Sequence, residues 1–348
     1  MRLVYVSPGP IEAKAAEGLA EFATTWPGEV IALVAQEPTA SVPVAPSVRV
    51  MAQTWSDPTV VRALDPDVLL ALHRPEFASL SALAPTVFTA EFSRQIRVEQ
   101  QSVGARGALD RARISMGQRR RDRTYRAMAH TSAGLQCNGH AAWDSYAAKS
   151  PDPLFFRDHR IRRADLTAAA ARSTWHGDRA PRVAFSGRMT AVKGPGTVLE
   201  VARLLPEIEF VMVGDGDLRA DLQRDAPVNV RFEGFLDFST WKAFFREQVD
   251  LALLPYPQGD PAGTYYEALG CGVPVLGVFN ATWPRLAAEG LGFVERDAAT
   301  LARRIRSLQP HDLDVVRTHA LASFEPFEDV AARRVAHLLR VARQANAD

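Results

Sequence analysis

Residues 251–278 carry the pattern that most restricts what this chain can fold into. The run Leu251–Leu254 is apolar throughout, as in a strand that is buried on both faces, and a Gly/Pro-rich loop follows it. Thr264 and Glu267 then have the Thr-x-x-Glu spacing of a helix capping box, and Gly272 is placed to end that helix. The pattern is compatible with an ordinary strand-loop-helix unit of an α/β domain. It is also the pattern of an anion site, because the N–H groups and the dipole of a helix start converge on such a loop.

Length and composition limit the class of protein. A chain of 348 residues, 47% of them apolar, can bury a large core and more naturally forms two domains than one. Its net charge of +1 argues against a nucleic-acid-binding protein that works by bulk electrostatics. The two cysteines, Cys137 and Cys271, lie in different halves of the sequence, so neither a disulfide framework nor a cysteine-rich metal site is predicted. We recognise no signal peptide and no run near the roughly 20 apolar residues of a membrane span, and therefore expect a cytoplasmic protein.

Short apolar runs alternate with helix-like segments along the whole chain. This alternation is typical of parallel, doubly wound sheets. The runs that predict strands are 3–6, 30–34, 48–51, 68–72, 86–89 and 135–137 in the first half, and 183–185, 210–213, 228–232, 251–254 and 273–276 in the second. The predicted fold class is therefore α/β, with one Rossmann-like doubly wound domain in each half.

A linker separates the two halves. Proline and aspartate interrupt the chain at residues 151–153, and an alanine-rich segment continues to about residue 179, so the predicted domains are 1–180 and 181–323. From about residue 326 apolar residues recur at near-helical spacing. The segment 324–348 is therefore predicted to be a helix that packs on another part of the protein.

In parallel sheets of this kind, ligands bind beyond the carboxyl ends of the strands. In the first half this rule selects residues 7–10, which include Gly9, as well as His73 and Glu91. A histidine at a strand end is also commonly a satisfied structural group.

A basic cluster lies within the helix-like segment 95–129. Its arginines are Arg111, Arg113, Arg119, Arg120, Arg121, Arg123 and Arg126. The apolar positions nearby do not form a continuous stripe, which favours a solvated basic face. Binding of an anionic group, or peripheral contact with a membrane surface, is the alternative.

Three loops of the second half are predicted to meet at one edge of the sheet. The first holds Gly187, Arg188 and Lys193, and two fixed cations at a strand end suit a diphosphate. The second holds Gly214 and Asp215, where glycine lets the backbone approach a ligand. The third is the loop that precedes the Thr-x-x-Glu helix. Three such loops in one sheet predict a nucleotide-diphosphate site.

These loops also carry a family resemblance over roughly residues 182–308. The motifs are G-R-x(4)-K-G at 187–194, V-G-D-G at 213–216, V-x-F-x-G at 230–234 and E-A-L-G-C-G-V-P-V at 267–275. In order and spacing they resemble the donor-binding domain of the retaining, family-4-like glycosyltransferases (glycosyl transferases group 1). The resemblance implies a GT-B fold, in which two Rossmann-like domains face a central cleft and a final helix crosses back to the first domain.

The resemblance also assigns roles to individual residues. It implies that Arg188 and Lys193 hold the diphosphate of a nucleotide sugar and that Glu267 hydrogen-bonds the ribose. Gly263 and Thr264 would offer backbone N–H groups to phosphate. The other donor positions are Gly187, Gly214 and Asp215, with Gly234 and Phe235 lying against the base.

One position departs from the family pattern. The family usually has a second glutamate eight residues before Glu267, in contact with the donor sugar, and this chain has Gly259 there. Asp260 is the nearest substitute, displaced by one residue. An unusual donor sugar is compatible with this change.

The first half resembles the family in one local feature. The turn Leu72-His73-Arg74-Pro75 is similar to the His-x-Pro turn that some members place beside the reacting sugar. The resemblance therefore makes His73 a catalytic candidate with Arg188 and Lys193, and it places Gly9, His73 and Glu91 on the acceptor side.

No metal and no cofactor are predicted. The pair Asp65 and Asp67 precedes a strand and so lies at the wrong edge of the sheet, whereas glycines already explain the loop of Asp215. Arg188, Lys193 and a helix dipole can stabilise a leaving diphosphate without a metal, and the resemblance implies the same.

The predicted function is retaining transfer of a sugar from a nucleoside diphosphate sugar, of UDP or GDP type, to an acceptor hydroxyl. The acceptor can be a small polyol, an aminocyclitol, a natural product or a lipid head group; no nucleic acid is expected as a partner. Two alternatives remain. One is a sugar-nucleotide epimerase or phosphorylase with the same fold, and the other is a protein that binds a sugar nucleotide without acting on it.

Overall fold

The computed structural model describes residues 1–35, 44–259, 261 and 263–345. Within it the chain packs as two units. Unit 1 comprises Met1–Arg94, Ser115–Arg157 and Glu328–Asp348, and unit 2 comprises Gln95–Ile114 and Asp158–Phe327.

Strands and helices alternate along nearly the whole chain. The strands within the described ranges are β1 (Arg2–Ser7), β2 (Glu29–Val34), β3 (Val48–Ala52), β4 (Val68–Leu72), β5 (Thr86–Ala90), β6 (Gly134–Asn138), β7 (Pro153–Phe156), β8 (Val183–Ser186), β9 (Phe210–Val213), β10 (Val230–Gly234), β11 (Leu251–Leu254), β12 (Val275–Val278) and β13 (Phe293–Glu295). The α-helices within those ranges are α1 (Ala13–Thr25), α2 (Pro58–Ala63), α3 (Arg94–Ser102), α4 (Ala108–Thr131), α5 (His140–Tyr146), α6 (Arg163–Ala170), α7 (Pro195–Leu204), α8 (Arg219–Asp225), α9 (Phe238–Gln248), α10 (Gly263–Gly270), α11 (Trp283–Ala288), α12 (Ala298–Ser307), α13 (Pro310–Ala322) and α14 (Phe327–Ala345). Short 3₁₀ helices lie at Pro75–Ala82, Ala147–Lys149 and Ala191–Lys193.

Unit 1 is built on a parallel sheet with the strand order β3-β2-β1-β4-β5-β6-β7. Successive residues of β1 face opposite sides, so Leu3 joins one apolar cluster and Val4 the other. The Leu3 cluster includes Val335 and Leu338 of α14, so this helix covers one face of the sheet. Two buried faces explain why the strands are apolar without alternation.

Unit 2 is built on a second parallel sheet, with the order β10-β9-β8-β11-β12-β13. One large apolar cluster surrounds it, to which Phe185, Phe245 and Trp283 contribute fully buried rings. The strand order reverses between β8 and β11, and such a reversal leaves a crevice beyond the carboxyl ends of the strands.

The structure confirms the predicted α/β class and the strand predictions, with shifts of one or two residues. Two short strands, β7 and β13, were not predicted, and the expectation that residues 135–137 form the last strand of the first half is wrong. The sequence around Asp152 reads as a linker because proline occupies the first position of β7, a place that an edge strand tolerates. The helix-like segment 95–129 contains two helices, α3 and α4.

The limits of the two units do not coincide with the predicted domain limits, which stay a prediction. Residues from Asp158 onward belong to unit 2, and Ile161 lies in its core. Residues from Glu328 onward belong to unit 1. The domain limits were predicted from the order of strands and helices along the sequence, at 1–180, 181–323 and 324–348. The units are defined by which residues pack together.

Asp250 anchors the amino-terminal edge of the unit 2 sheet. Its buried carboxylate accepts hydrogen bonds from the Arg179 guanidinium at 2.6 Å and from the Arg182 backbone N–H at 2.7 Å. Burial by itself raises the pKa of Asp250, but the hydrogen bonds from these two arginines outweigh it and hold the pKa below its usual range. The carboxylate thus joins the start of β11 to the chain that enters β8.

We expect Asp250→Asn to destabilise unit 2 by about 2 kcal/mol at pH 7, because charge-assisted hydrogen bonds of this kind contribute about 1.5–3 kcal/mol. The native pKa is depressed, so the stabilisation is present above the unfolded pKa of about 3.9 and is lost as the pH falls through the native pKa. Thermal unfolding of both proteins between pH 3 and pH 7 measures this, and the difference between them should shrink at the acid end. Asp221→Asn, which removes an exposed ion pair with Arg224, is the control and should leave stability unchanged. Equal stability of Asp250→Asn and wild type at pH 7 would contradict the assignment.

Candidate functional site

The loops that follow β8, β9, β10 and β11 meet at the carboxyl edge of the unit 2 sheet. The Gly187 N–H donates to the Val213 carbonyl at 3.0 Å, and the Gly214 N–H donates to the Gly234 carbonyl at 2.7 Å. The Met189 N–H donates to the Asp215 carbonyl at 2.8 Å. The structure therefore brings the glycine loops together, as the sequence predicts.

Gly214 has no room for a side chain. A Cβ atom there would collide with the carbonyl oxygen of Gly187, and the φ angle of +126° disfavours any residue with a side chain. The loops after β8 and β9 therefore touch through their backbones.

Lys193 lies at the end of the loop after β8, directly before Gly194, whose φ angle of +60° is left-handed. Its ammonium nitrogen lies 4.1 Å from the ring centre of Tyr256 in the loop after β11, a cation-π contact. Tyr256 is itself buried, and its hydroxyl donates to the Ser186 carbonyl. Burial raises the pKa of Tyr256, so the hydroxyl keeps its proton at neutral pH and the ring gives Lys193 a fixed support.

Arg188 and Asp215 differ in how they are held. Arg188 is exposed on the loop after β8. Asp215 accepts hydrogen bonds from the Gly216 N–H at 2.7 Å and from Arg219 at 2.8 Å, and these two contacts lower its pKa. The Asp215 carboxylate thus orders its own loop.

Helix α10 begins at Gly263, so Thr264 lies within its first turn. The expectation that Thr264 caps this helix is therefore wrong, because an N-cap residue precedes the first helical residue, whereas Thr264 is the second residue of the helix. The Thr264 side chain is instead hydrogen-bonded to Tyr256. Glu267 lies one turn further along α10 and is half-buried, and Asp260 lies outside the described residues.

The predicted end of α10 is confirmed. The Gly272 N–H donates to the Leu269 carbonyl at 2.9 Å, and the Val273 N–H donates to the Ala268 carbonyl at 3.0 Å. These are the two bonds of a Schellman motif, with Gly272 at a φ angle of +73°.

Gly234 is the last residue of β10, and Phe235 follows it. The Gly234 carbonyl accepts the bond from Gly214, which fixes the start of this loop beside the loop after β9. The Phe235 side chain is 76% exposed, so its ring is available for stacking.

The candidates of unit 1 lie beyond the carboxyl ends of β1, β4 and β5, as predicted. His73 is buried, its Nε2 lies 2.8 Å from the Tyr125 carbonyl, and its ring packs against Tyr146. Since that contact requires a proton on Nε2, the neutral ring carries its lone pair on Nδ1. Glu91 is half-buried. The pKa of Tyr5 is raised by burial and, to a smaller extent, by the nearby negative charge of Glu91. Gly9 lies in open space, where a Cβ atom would meet no described neighbour within 4 Å.

The seven arginines of the basic cluster are all exposed along α4. Among the described residues, no group of three or more His, Cys, Asp and Glu side chains is arranged to hold a metal ion. None of the helices in the described ranges combines the length and the apolar character that a membrane crossing needs. Cys137 and Cys271 are both buried thiols.

Sequence reasoning missed Tyr256 and Asn280. The Asn280 side chain donates to the carbonyls of Tyr256 and Gln258 at 2.9 and 3.1 Å, and it accepts from the Thr282 N–H at 2.8 Å. Asn280 lies just beyond the carboxyl end of β12. The rule that ligands bind beyond the carboxyl ends of parallel strands could therefore have selected it. Tyr256 also lies just beyond a strand end, that of β11, but its contact with the Ser186 carbonyl, 70 residues away in sequence, had no local signal.

Comparisons with known proteins agree with this geometry. Residues 180–310 match the family model described as "Glycosyl transferases group 1". A phosphatidyl-myo-inositol mannosyltransferase of Propionibacterium freudenreichii is 26% identical over 211 residues, which are 57% of this chain and 53% of that protein. The matched part of this chain thus spans about half the length of the curated relative.

Solved structures resemble the chain over its whole length. Sucrose-phosphate synthase from Thermosynechococcus elongatus has a TM-score of 0.70 at 15% identity, with coverage of 100% of this chain and 99% of that one. HepE of Anabaena, in complex with UDP-glucose, has a TM-score of 0.67 at 15% identity and covers both chains fully. At this level of identity the likeness concerns the fold alone. The chain has the GT-B fold, and its residues 180–310 match the glycosyl transferases group 1 family.

Proposed function

We propose that this protein is a glycosyltransferase that moves a sugar from a nucleoside diphosphate sugar to an acceptor hydroxyl with retention of configuration. The observation that carries the proposal is the meeting of four loops at the carboxyl edge of the unit 2 sheet, with Lys193 held against Tyr256 among them. The family match over residues 180–310 and the name of the mannosyltransferase relative support it. The neighbour solved with UDP-glucose supports a nucleotide sugar as donor.

Arg188, Lys193 and the start of α10 are the groups that we assign to the diphosphate. Two cations and the N–H groups of Gly263 and Thr264 would surround phosphate oxygens with donors, and such charge-assisted bonds are the stronger ones. Gly187 and Gly214 let the loops after β8, β9 and β11 pack closely together, since a Cβ atom at either position would collide with a neighbouring loop. Glu267 is assigned to the ribose hydroxyls.

Gly234 and Phe235 are assigned to the base. An exposed aromatic ring can stack on any base, so this contact fits UDP and GDP donors alike. Asp215 is assigned an indirect role, because its carboxylate already binds Arg219 and its own loop.

The chemistry that we propose needs positioning and charge stabilisation rather than a covalent enzyme intermediate. The acceptor oxygen bonds to the anomeric carbon, the bond from that carbon to the phosphate oxygen breaks, and the proton of the acceptor passes to the departing phosphate. Arg188 and Lys193 would stabilise the negative charge that develops on this leaving group. We propose that neither a metal ion nor a cofactor takes part. Gly9, His73 and Glu91 are assigned to the acceptor side.

For the acceptor, we favour a lipid head group that carries a polyol. The name of the mannosyltransferase relative supports this choice, and so does α4. Met116 on this helix is 57% exposed, and Arg120 and Arg123 lie four and seven residues further along the same face. An exposed apolar side chain among arginines suits the surface of an anionic membrane. A cytoplasmic location, facing such a membrane, is part of the proposal.

Transfer itself is tested with UDP- and GDP-sugars, with and without polyol acceptors. We expect release of the nucleoside diphosphate that depends on the acceptor, and a product whose anomeric configuration, read by NMR, equals that of the donor. Conversion of the donor without an acceptor would favour an epimerase. Tight binding without turnover of any donor would favour the binding-only alternative, and an inverted product would contradict retention.

Removal of the Lys193 ammonium tests the diphosphate assignment. We expect Lys193→Ala to weaken binding of UDP or GDP about ten- to a hundredfold, because one charge-assisted contact of about 1.5–3 kcal/mol is lost. A thermal-shift titration measures the affinity, since ligand at 100 times its dissociation constant stabilises by about 2.7 kcal/mol. Lys242→Ala is the matched control, because Lys242 also lies over an aromatic ring, that of Phe238, and pairs with Asp165. If Lys193→Ala and Lys242→Ala lose the same affinity for UDP or GDP, the assignment of Lys193 to the diphosphate is wrong.

Removal of charge from α4 tests the membrane contact. We expect Arg119→Gln, Arg120→Gln and Arg123→Gln together to reduce sedimentation with anionic phosphatidylserine vesicles about tenfold or more, since each basic residue near such a surface contributes about 1 kcal/mol. The control removes the same charge from Arg224, Arg303 and Arg306, which are exposed in unit 2. Vesicle binding that survives loss of the α4 charges would contradict the role of this helix.

A further inference from the structure

Glu99 of α3 reaches two loops of the candidate donor site, although about 160 residues separate it from them. One carboxylate oxygen accepts the Gly259 N–H at 3.2 Å, and the backbone of Ala281 also donates to this carboxylate. The other oxygen accepts from Gln95 at 3.1 Å. Gly259 lies in the loop after β11 and Ala281 in the loop after β12, so one side chain joins two neighbouring loops.

Gly259 has no space for a carboxylate of its own. A Cβ atom there would lie 2.8 Å from the Thr282 hydroxyl oxygen and 3.2 Å from the Ala281 methyl carbon. Thr282 cannot move away readily, because it is fully buried and its N–H is bound to Asn280. The glutamate that the sequence pattern predicts at this position is therefore excluded, and the carboxylate beside this backbone comes from α3.

Asn280 holds the same loop from the other side. It donates to the carbonyls of Tyr256 and Gln258, whereas Glu99 accepts from the N–H of Gly259. Two side chains thus bind backbone groups of residues 256–259, directly after β11. A backbone fixed in this way loses little further freedom when a ligand binds, which raises affinity.

We propose that Glu99 is a positioning residue of the donor site: its carboxylate clasps the loops after β11 and β12 together and so holds the backbone that receives the nucleotide sugar. Both carboxylate oxygens have protein partners, which favours this role over direct contact with the sugar. Burial raises the pKa of Glu99, and its hydrogen bonds to the Gly259 and Ala281 backbone and to Gln95 oppose that effect. The inference rests on the proposed function.

The test compares wild type with Glu99→Ala, Glu99→Gln and Glu207→Ala. Glu207 is an exposed glutamate of unit 2 that pairs with Arg306, so its removal is the matched control. The first measurement is hydrogen–deuterium exchange of the Gly259 and Ala281 amides in the ligand-free protein. We expect about tenfold faster exchange in Glu99→Ala, and near wild-type exchange in Glu99→Gln, whose amide oxygen still accepts one N–H, and in Glu207→Ala.

The second measurement is the affinity for UDP and GDP and for the corresponding sugar nucleotides. We expect Glu99→Ala to weaken both the nucleotide and the sugar nucleotide by about tenfold, and Glu99→Gln to restore most of the loss. Unchanged exchange, or unchanged affinity in Glu99→Ala where wild type binds, would overturn the proposal. A loss confined to the sugar nucleotide would overturn it as well, since Glu99 would then touch the sugar directly. If wild type binds no nucleotide, the proposed function fails, whereas the exchange result still decides whether Glu99 clasps the loops.

Discussion

The site of unit 2 depends on backbone touching backbone at Gly187, Gly214 and Gly234. These loops are joined by hydrogen bonds between main-chain groups, and a side chain at Gly214 would force the loops after β8 and β9 apart. Because these contacts involve no flexible side chain, they hold the loops after β8, β9 and β10 directly against one another. The Lys193 ammonium adds positive charge beside these loops, and the ring of Tyr256 supports it through a cation-π contact. Preorganised charge of this kind is what stabilisation of a leaving diphosphate requires.

The electrostatics of unit 2 follow from where its carboxylates are engaged. Asp250 is bound by arginines at the amino-terminal edge of the sheet, and Asp215 is bound by Arg219 within its own loop. Glu99 is bound by backbone N–H groups, so it stabilises two loops without an ion pair. These three carboxylates thus hold segments of unit 2 in place. At the carboxyl edge of the sheet Arg188 is exposed and the Lys193 ammonium lies over Tyr256, so positive side chains are present there.

Most of the fold was predictable because strands buried on both faces are apolar runs, as in Leu251–Leu254, and because glycine loops recur at their ends. The edge strands β7 and β13 were missed, since edges carry weaker patterns and β7 begins with proline. For the candidate site, the glycine loops and the place of Lys193 followed from local sequence. Glu99 did not, because nothing in its own helix announces a partner about 160 residues away. The cap assigned to Thr264 failed for a smaller reason: the helix starts at Gly263, two residues earlier than a cap at Thr264 implies.

The position of helix α14 in the sequence determines which unit can fold first during synthesis. Residues Val335, Leu338 and Val341 of this helix fill part of the apolar cluster on one face of the unit 1 sheet, and they are synthesised after all the residues of unit 2. Until then, of the helices in the described ranges, only α1 covers that face, through residues such as Leu19 and Phe22, whereas unit 2 is already complete. Unit 2 is therefore able to fold first, although most of unit 1 precedes it in sequence. The nascent chain must carry an exposed apolar surface throughout that interval, which is the circumstance in which newly made proteins depend on chaperones.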